Sequence, residues 1–179
     1  MRLYVISGSL RAASVHSALL RAFRENAPND IEIELCDLVA ELPIFNPDRE
    51  GDLTPPSVLA FAKKVEDADG LVIASPEYAH GIPGGLKNAF DWLVSRAELV
   101  GKPAMLVHAY AFGRGAYGLS ALEEVLRTAS LQIMPGETFS VSLVGRTINE
   151  AEAVLKRAET AKSISDALSE FRDWVSNLS

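Results

Sequence analysis

The run LYVISGSLRAASVHSALLRAF, residues 3–23, carries the strongest structural signal in the chain. Its first four residues are apolar without polar alternation, which is typical of a strand buried on both faces of a parallel sheet. A polar loop over residues 7–14 follows, and apolar residues then recur at helical spacing from Val15 to Phe23. Ser14 stands where a helix cap is expected. The run therefore predicts a strand, a loop and a helix in succession.

The same succession recurs along the rest of the chain. Strands are predicted over residues 31–35, 71–74 and 104–109 and within 132–144, centred on 139–143. Helices are predicted from residue 54, over 84–95, over 119–129 and from 149 with a break near 162, while 36–54 is predicted to be a loop. Strands that alternate with helices form parallel sheets with right-handed crossovers. We predict one α/β domain over residues 1–179, with a flavodoxin-like doubly wound five-stranded parallel sheet, strand order 2-1-3-4-5 and helices on both faces.

Composition narrows the class of protein. The chain has 179 residues, of which 48% are hydrophobic and 23% charged, as expected for a soluble globular protein. A net charge of −7 argues against a nucleic-acid partner, which would require a basic face. No apolar run approaches a membrane span of about 18 residues, and the first residues lack the order of a signal peptide. The single cysteine, Cys36, excludes an internal disulfide framework. We expect a cytoplasmic protein without a nucleic-acid or membrane partner.

In the predicted strand order, ligands bind beyond the carboxyl ends of the strands, where the first and third strands diverge. Three loops follow strands at that edge, and a fourth segment, residues 38–48, contributes in part. We name them the first loop (residues 7–14), the second loop (75–83) and the third loop (110–115).

The first loop has the composition of a phosphate site. It offers hydroxyls from Ser7, Ser9 and Ser14 and a guanidinium from Arg11, and it opens into a helix N-terminus, which favours an anion. Gly8 permits close approach of the backbone. The run matches neither the phosphate loop of NTPases nor the glycine fingerprint of dinucleotide-binding folds.

Two interpretations of this region stay open from the residues alone. His16 and Ser17, in the first helical turn, are further donors to a phosphate. Alternatively, Ser14 caps an ordinary helix, Arg11 is solvated and His16 faces solvent.

The second loop is rich in Pro and Gly, which fix a backbone shape against which a flat ligand can lie. Tyr78 and the backbone around Glu77 can border such a ring. The Glu77 side chain is predicted to be structural rather than catalytic, because no paired carboxylate or nucleophile–His arrangement accompanies it. His80 lines the opening or is merely solvated.

Several short motifs in these loops, taken together, resemble the NAD(P)H-dependent FMN reductase family, which includes quinone, chromate and azo-dye reductases. They are Gly8-Ser9-Leu10-Arg11 with Ser14, Leu42-Pro43 with Phe45-Asn46-Pro47-Asp48, Pro76-Glu77-Tyr78 with Gly81 and Pro83-Gly84, and Leu86-Lys87-Asn88-Ala89 with Asp91-Trp92 and Ser95-Arg96. The resemblance extends over roughly residues 1–145.

The resemblance implies a set of FMN contacts. The phosphate would be bound by Ser9, Arg11, Ser14, His16 and Ser17, the isoalloxazine ring would be bordered by Pro76, Glu77, Tyr78, Ala79 and His80, and the substrate pocket would include Phe45, Tyr110 and Phe112. Two positions depart from the family pattern. Ala79 stands where Asn is usual, which removes one side-chain hydrogen bond near the flavin. The bulky Tyr110 and Phe112 stand in a loop that is usually rich in Ser and Gly. There they border the edge of the isoalloxazine ring or narrow the nicotinamide site.

The activity implied is an FMN-dependent NAD(P)H oxidoreductase with ping-pong kinetics. NADPH or NADH would give a hydride to FMN, which would pass it to a quinone, a flavin, a nitro or azo compound or a metal oxyanion. No side chain need act as acid or base in the hydride step, and no metal is required. The alternatives are a non-catalytic flavodoxin-type electron carrier and a family scaffold that has lost flavin. A homodimer or a tetramer is expected, because Phe90, Trp92 and Leu93 exceed what one buried helix face needs.

Overall fold

The central sheet is parallel, and its strands follow the order β2-β1-β3-β4-β5, with β6 also paired to β4. The strands are β1 (Arg2–Ser7), β2 (Glu32–Leu35), β3 (Gly70–Ala74), β4 (Pro103–Tyr110), β5 (Gln132–Ile133) and β6 (Phe139–Ser142). The structure is a computed structural model that describes residues 1–110, 115–143 and 146–178, and of Tyr110 only the backbone. The predicted doubly wound fold and strand order are confirmed.

The fifth position in the sheet is filled by two strands instead of the single strand that the sequence predicts. β5 pairs with the start of β4, at Pro103 and Ala104, and β6 pairs with its end, from Val107 to Tyr110. Residues 134–138 separate the two strands. They include Pro135, which has no N–H for a sheet bond, and Gly136, whose φ of +107° departs from strand geometry.

Two layers of helices cover the sheet. The helices are α1 (Val15–Glu25), α2 (Pro56–Asp67), α3 (Gly84–Asp91), α4 (Ala116–Thr128), α5 (Ile148–Leu155) and α6 (Ala158–Ser176). α1, α5 and α6 pack with Leu3 and Val5 on one face, whereas α2, α3 and α4 pack with Tyr4 and Ile6 on the other. Every residue of β3 is buried, which explains its unbroken apolar sequence.

Three details differ from the sequence prediction. α3 ends at Asp91, four residues early, and the tail breaks at residues 156–157 rather than near Lys162. The segment predicted to be a loop contains three short 3₁₀ helices, at Val39–Glu41, Pro47–Arg49 and Gly51–Leu53.

The apolar residues at the end of α3 are buried inside the chain. Phe90, Trp92 and Leu93 are each at most 2% exposed. The Trp92 indole N–H donates to the Pro43 carbonyl at 2.7 Å, and the Phe45 ring packs edge-on against it. Trp92 thus fastens Pro43 and Phe45 to the end of α3, and because these apolar residues are buried within the chain, their number gives no support to a dimer.

None of the helices within residues 1–110, 115–143 and 146–178 combines the length and the mean hydropathy needed to cross a membrane.

Candidate functional site

The first loop is joined to the end of β3 at the carboxyl edge of the sheet. The Gly8 N–H donates to the Ala74 carbonyl at 2.7 Å. A Cβ at Gly8 would lie 3.0 Å from both the Leu86 side chain and the Ser75 Oγ. Gly8 is therefore needed for packing against β3 and α3, whereas the sequence interpretation had assigned its small size to the approach of a ligand.

Four serine hydroxyls surround the start of α1. Ser7 Oγ accepts from the Ser9 N–H at 3.2 Å and shares a hydrogen bond with Ser17 Oγ at 3.0 Å. Ser14 caps the helix as predicted, because its Oγ accepts from the Ser17 N–H at 3.3 Å. Each hydroxyl can both donate and accept. The cluster therefore presents donors close to the free amides of a helix N-terminus.

Arg11 adds a positive charge at the same place. Its side chain is exposed and forms no hydrogen bond or ion pair with any residue that the structure describes. A helix N-terminus favours a negative ligand through its dipole and its unbonded amides. Arg11 and the start of α1 therefore favour the same kind of ligand, an anion.

His16, in the first turn of α1, is buried, so the alternative that it faces solvent is wrong. Only 7% of the residue is exposed, and its ring lies 6.0 Å from that of His108 between centroids. Burial, and to a smaller extent the proximity of His108, lowers the pKa of His16 to about 4. Within the described parts of the chain, its Nε2 has no hydrogen-bond partner. A buried nitrogen that has no hydrogen-bond partner and lies next to a helix N-terminus is suited to a hydrogen bond with an oxygen atom of a ligand.

The second loop forms a tight two-residue turn. Tyr78 and Gly81 exchange backbone hydrogen bonds, both of 2.9 Å. The residues between them have positive φ angles, +50° at Ala79 and +60° at His80. Turns of this kind favour Asn and Gly, which adopt left-handed backbone at low cost. Alanine at position 79, where the family pattern has Asn, therefore raises the cost of the left-handed backbone of this turn. This effect is separate from the side-chain hydrogen bond that the resemblance implies.

Glu77 connects the second loop to α4. Its Oε2 accepts from the Gly118 N–H at 2.8 Å, in the first turn of that helix, and its Oε1 lies 3.4 Å from His80 Nδ1. A Cβ at Gly118 would lie 2.9 Å from the Glu77 Cβ. The contact fits the structural role predicted for the carboxylate. The importance of Gly118 was missed, although a glycine inside a helical pattern was the available signal.

The third loop is described only in part. Gly115 has a φ of +97°, and a Cβ there would lie 2.3 Å from His108 Nε2, so the backbone passes directly over that ring. Burial lowers the pKa of His108. The predicted pocket walls, the side chain of Tyr110 and the whole of Phe112, lie outside the described residues. Phe45, also predicted to line the pocket, packs on Trp92, and its N–H donates to Asn88 Oδ1 at 2.7 Å.

Comparison with known proteins identifies the family. Residues 1–145 match the family model for NADPH-dependent FMN reductases. The chain belongs to this family.

Individual reductases agree with the assignment. The chain is 35% identical over 109 residues to a quinone reductase of Escherichia coli (strain K12), a match that covers 59% of this chain and 58% of the relative. It is 38% identical over 124 residues to an NAD(P)H-dependent FMN reductase of Pseudomonas aeruginosa, covering 68% of this chain and 65% of the relative. These matches thus span less than two thirds of either relative's length.

A solved structure extends the likeness over the whole chain. A flavoenzyme NAD(P)H:(acceptor) oxidoreductase from Paracoccus denitrificans superposes with a TM-score of 0.80 at 25% identity, covering 98% of this chain and 97% of that one. A flavodoxin from Bacillus cereus, at 18% identity and a TM-score of 0.58, shares the fold alone. The comparisons therefore favour a reductase over a non-catalytic electron carrier.

The residues present in this FMN reductase family member fit an FMN. Ser9, Ser14 and Ser17 lie at the start of α1 with Arg11 and with the Nε2 of His16, which has no hydrogen-bond partner among the described residues, and together they would hold a phosphate. The half-exposed Tyr78 and the backbone of the second loop provide a border for a flat ring. Among the side chains that the structure describes, no group of three or more His, Cys, Asp or Glu could hold a metal ion.

Proposed function

We propose that this chain is an FMN-dependent NAD(P)H oxidoreductase that reduces quinones. The supporting observation lies at the carboxyl edge of β1 and β3. There, the residues that would hold an anion stand beside a rigid loop that suits a flat ring. The FMN phosphate would lie on these residues, and the isoalloxazine ring would lie beside Pro76, Glu77 and Tyr78. The names of the relatives, which are quinone and FMN reductases, support the same substrates.

The residues of the chain bind and orient in this proposal. When bound, FMN accepts a hydride from NADPH or NADH and passes it to the oxidant. Arg11 and the α1 N-terminus fix the phosphate end, because a charged hydrogen bond is stronger than a neutral one. Glu77 holds the second loop against α4 through Gly118, which keeps the ring border in one position.

The oxidants proposed are quinones first, and then flavins, nitro and azo compounds and metal oxyanions. Donor and oxidant would use the same face of the ring in turn, so we expect ping-pong kinetics. Initial-rate lines at several quinone concentrations should then run parallel in a double-reciprocal plot, whereas intersecting lines would contradict a shared site.

The proposed function is tested by the visible spectrum of the FMN-loaded protein under argon. NADPH should bleach the flavin band, and one equivalent of benzoquinone should restore it. The matched control is free FMN at the same concentration, which NADPH should reduce far more slowly. A protein that binds no FMN, or a bound flavin that NADPH leaves oxidised, would contradict the proposal.

For assembly we propose a homodimer or a tetramer, located in the cytoplasm. Phe90, Trp92 and Leu93 do not support an assembly, because they are buried inside the chain. The supporting observation is that two large apolar side chains within residues 36–55, Ile44 and Leu53, are exposed. A contact between subunits would remove these apolar side chains from water. Sedimentation at micromolar concentration should give a mass at least twice that of the chain, and a monomer would refute the assembly.

A further inference from the structure

An imidazole and a carboxylate of the second loop form a pair beside the start of α4. His80 Nδ1 lies 3.4 Å from Glu77 Oε1, and the His80 ring packs at 84° to that of Tyr117, with centroids 4.8 Å apart. Although two neighbours hold it, the His80 side chain is 76% exposed. The imidazole is thus positioned by the protein and open to whatever occupies the space outside the second loop.

The backbone places His80 there at a cost in free energy. Its φ of +60° lies in the left-handed region, which is unfavourable for a residue with a Cβ. The two hydrogen bonds between Tyr78 and Gly81 hold the turn in this conformation. Strained residues of this kind gather at functional sites.

Glu77 is itself fixed, so it can orient the imidazole. Its second oxygen accepts from the Gly118 N–H at 2.8 Å, and only 19% of the side chain is exposed. An imidazole that transfers protons is commonly oriented by a third group such as a carboxylate, and these contacts are often longer before the substrate binds. The pair stands beside Tyr78, on the loop to which the proposed function assigns the flavin ring.

Quinone reduction has a chemical requirement that hydride transfer alone does not meet. A hydride adds to the quinone and leaves an oxyanion, which needs one proton to become the hydroquinone. We propose that His80 is the general acid that supplies this proton and that Glu77 is its positioning residue. The inference rests on the proposed function, and it adds an acid where hydride chemistry required none.

The step balances in atoms and charge. The hydride donated by NAD(P)H reaches the quinone through FMN. Nε2–H of the His80 imidazolium then protonates the quinone oxygen, and the neutral imidazole takes a proton from water. NAD(P)H, one proton and the quinone therefore give NAD(P)⁺ and the hydroquinone. The preferred oxidants are those that become anionic on reduction, such as quinones, whereas a one-electron oxidant that needs no proton gains nothing from His80.

The first test replaces His80 with Asn, which tolerates left-handed backbone and cannot act as an acid. General acids usually contribute 10²–10⁴-fold, but water can reach this open position, so we expect kcat/KM for benzoquinone to fall about tenfold. Ferricyanide, a one-electron oxidant, is the internal control. Any change in its rate measures an effect of the substitution on the flavin site, and the loss with benzoquinone should exceed that change about tenfold. Both proteins are compared at saturating FMN.

The second test measures binding without turnover. 4-Nitrophenolate resembles the hydroquinone anion and is not oxidised by flavin, and neutral nitrobenzene has a similar shape. Each is titrated into the oxidised FMN-loaded protein in the absence of NADPH, and the change in flavin absorbance is followed. Because a charged hydrogen bond is lost, H80N should bind nitrophenolate about tenfold more weakly and nitrobenzene equally well.

The outcomes separate the two proposals. If the parent protein reduces benzoquinone and H80N does so equally fast, or if H80N binds nitrophenolate as tightly as the parent, the role of His80 is overturned and the proposed function stands. Equal losses with benzoquinone and ferricyanide would also overturn it, because they indicate a structural role. A parent protein that reduces no quinone overturns both.

Discussion

The first and second loops lie side by side at the same edge of the sheet but use their polar groups differently. In the first loop and the first turn of α1 after it, Arg11 and the Nε2 of His16 have no partners among the described residues. In the second loop, Glu77 is bonded to Gly118, and Tyr78 is bonded to Gly81. The difference supports the proposal that the first loop would supply binding energy to a ligand, whereas the second supplies a fixed shape.

Gly118→Ala should break the attachment of the second loop to α4. Of the substitutions proposed, it should lower the free energy of unfolding most. Its Cβ would lie 2.9 Å from the Glu77 Cβ and 3.1 Å from the Glu77 Cα, which is backbone and cannot rotate away. Overpacking and the weakened hydrogen bond should together lower the free energy of unfolding by about 3 kcal/mol.

Denaturant unfolding of the protein without FMN measures this loss. Gly84→Ala is the matched control, because a Cβ at Gly84 has no atom within 4 Å among the residues described, and its stability should be equal or slightly higher. Equal stability of the Gly118→Ala and parent proteins would show that α4 does not hold the second loop.

The pH dependence of stability tests the other half of the comparison, through His16 in the helical turn that follows the first loop. Its pKa is about 4 in the folded protein and 6.5 when unfolded, so between these values only the unfolded chain takes up the proton. Stability is therefore lost as the pH falls below 6.5, and by pH 5 the loss attributable to His16 is about 2 kcal/mol relative to pH 7.

The comparison is between the parent protein and His16→Asn, each unfolded by urea at pH 7 and pH 5. The fall in stability should be smaller in the variant by about 2 kcal/mol. His108, whose pKa burial also lowers, contributes in the same direction in both proteins. Identical pH dependence would mean that His16 is not buried as described.

Ala79→Gly tests the strain in the second loop and should have the smallest effect. Glycine adopts the φ of +50° without a Cβ clash, so the free energy of unfolding should rise by about 0.5–1 kcal/mol. Ala60→Gly, on the exposed face of α2, is the same substitution in a helix and should lower it by about 1 kcal/mol. A loss of stability in both variants would contradict the left-handed turn.

The sequence predicted the sheet order because each buried strand is a continuous apolar run and each helix has one apolar face. It predicted the Ser14 cap for a similar reason, since capping is local chemistry. The split of the fifth strand depends on which part of β4 each half pairs with, a long-range choice that the pattern does not encode.

The site was predicted less completely than the fold. The composition of the loops predicted Ser9, Arg11, Ser14 and Glu77 as site residues, which stays a prediction, but the burial of His16 depends on its packing near His108 of β4. The left-handed turn at Ala79 was missed, because alanine gives no signal of positive φ. Likewise, the contact between Glu77 and Gly118 joins residues 41 positions apart.

The central claim, that the first loop holds the FMN phosphate, is tested most directly by titrating FMN and riboflavin into the parent protein and Arg11→Ala. Riboflavin lacks the phosphate, so Arg11 should matter for FMN alone. We predict that the variant loses about 1.5–3 kcal/mol of FMN affinity, or about ten- to a hundredfold, and none for riboflavin. Arg49→Ala, at another exposed arginine, should change neither. Equal affinity of the parent and Arg11→Ala for FMN, or an equal loss for both flavins, would contradict the account.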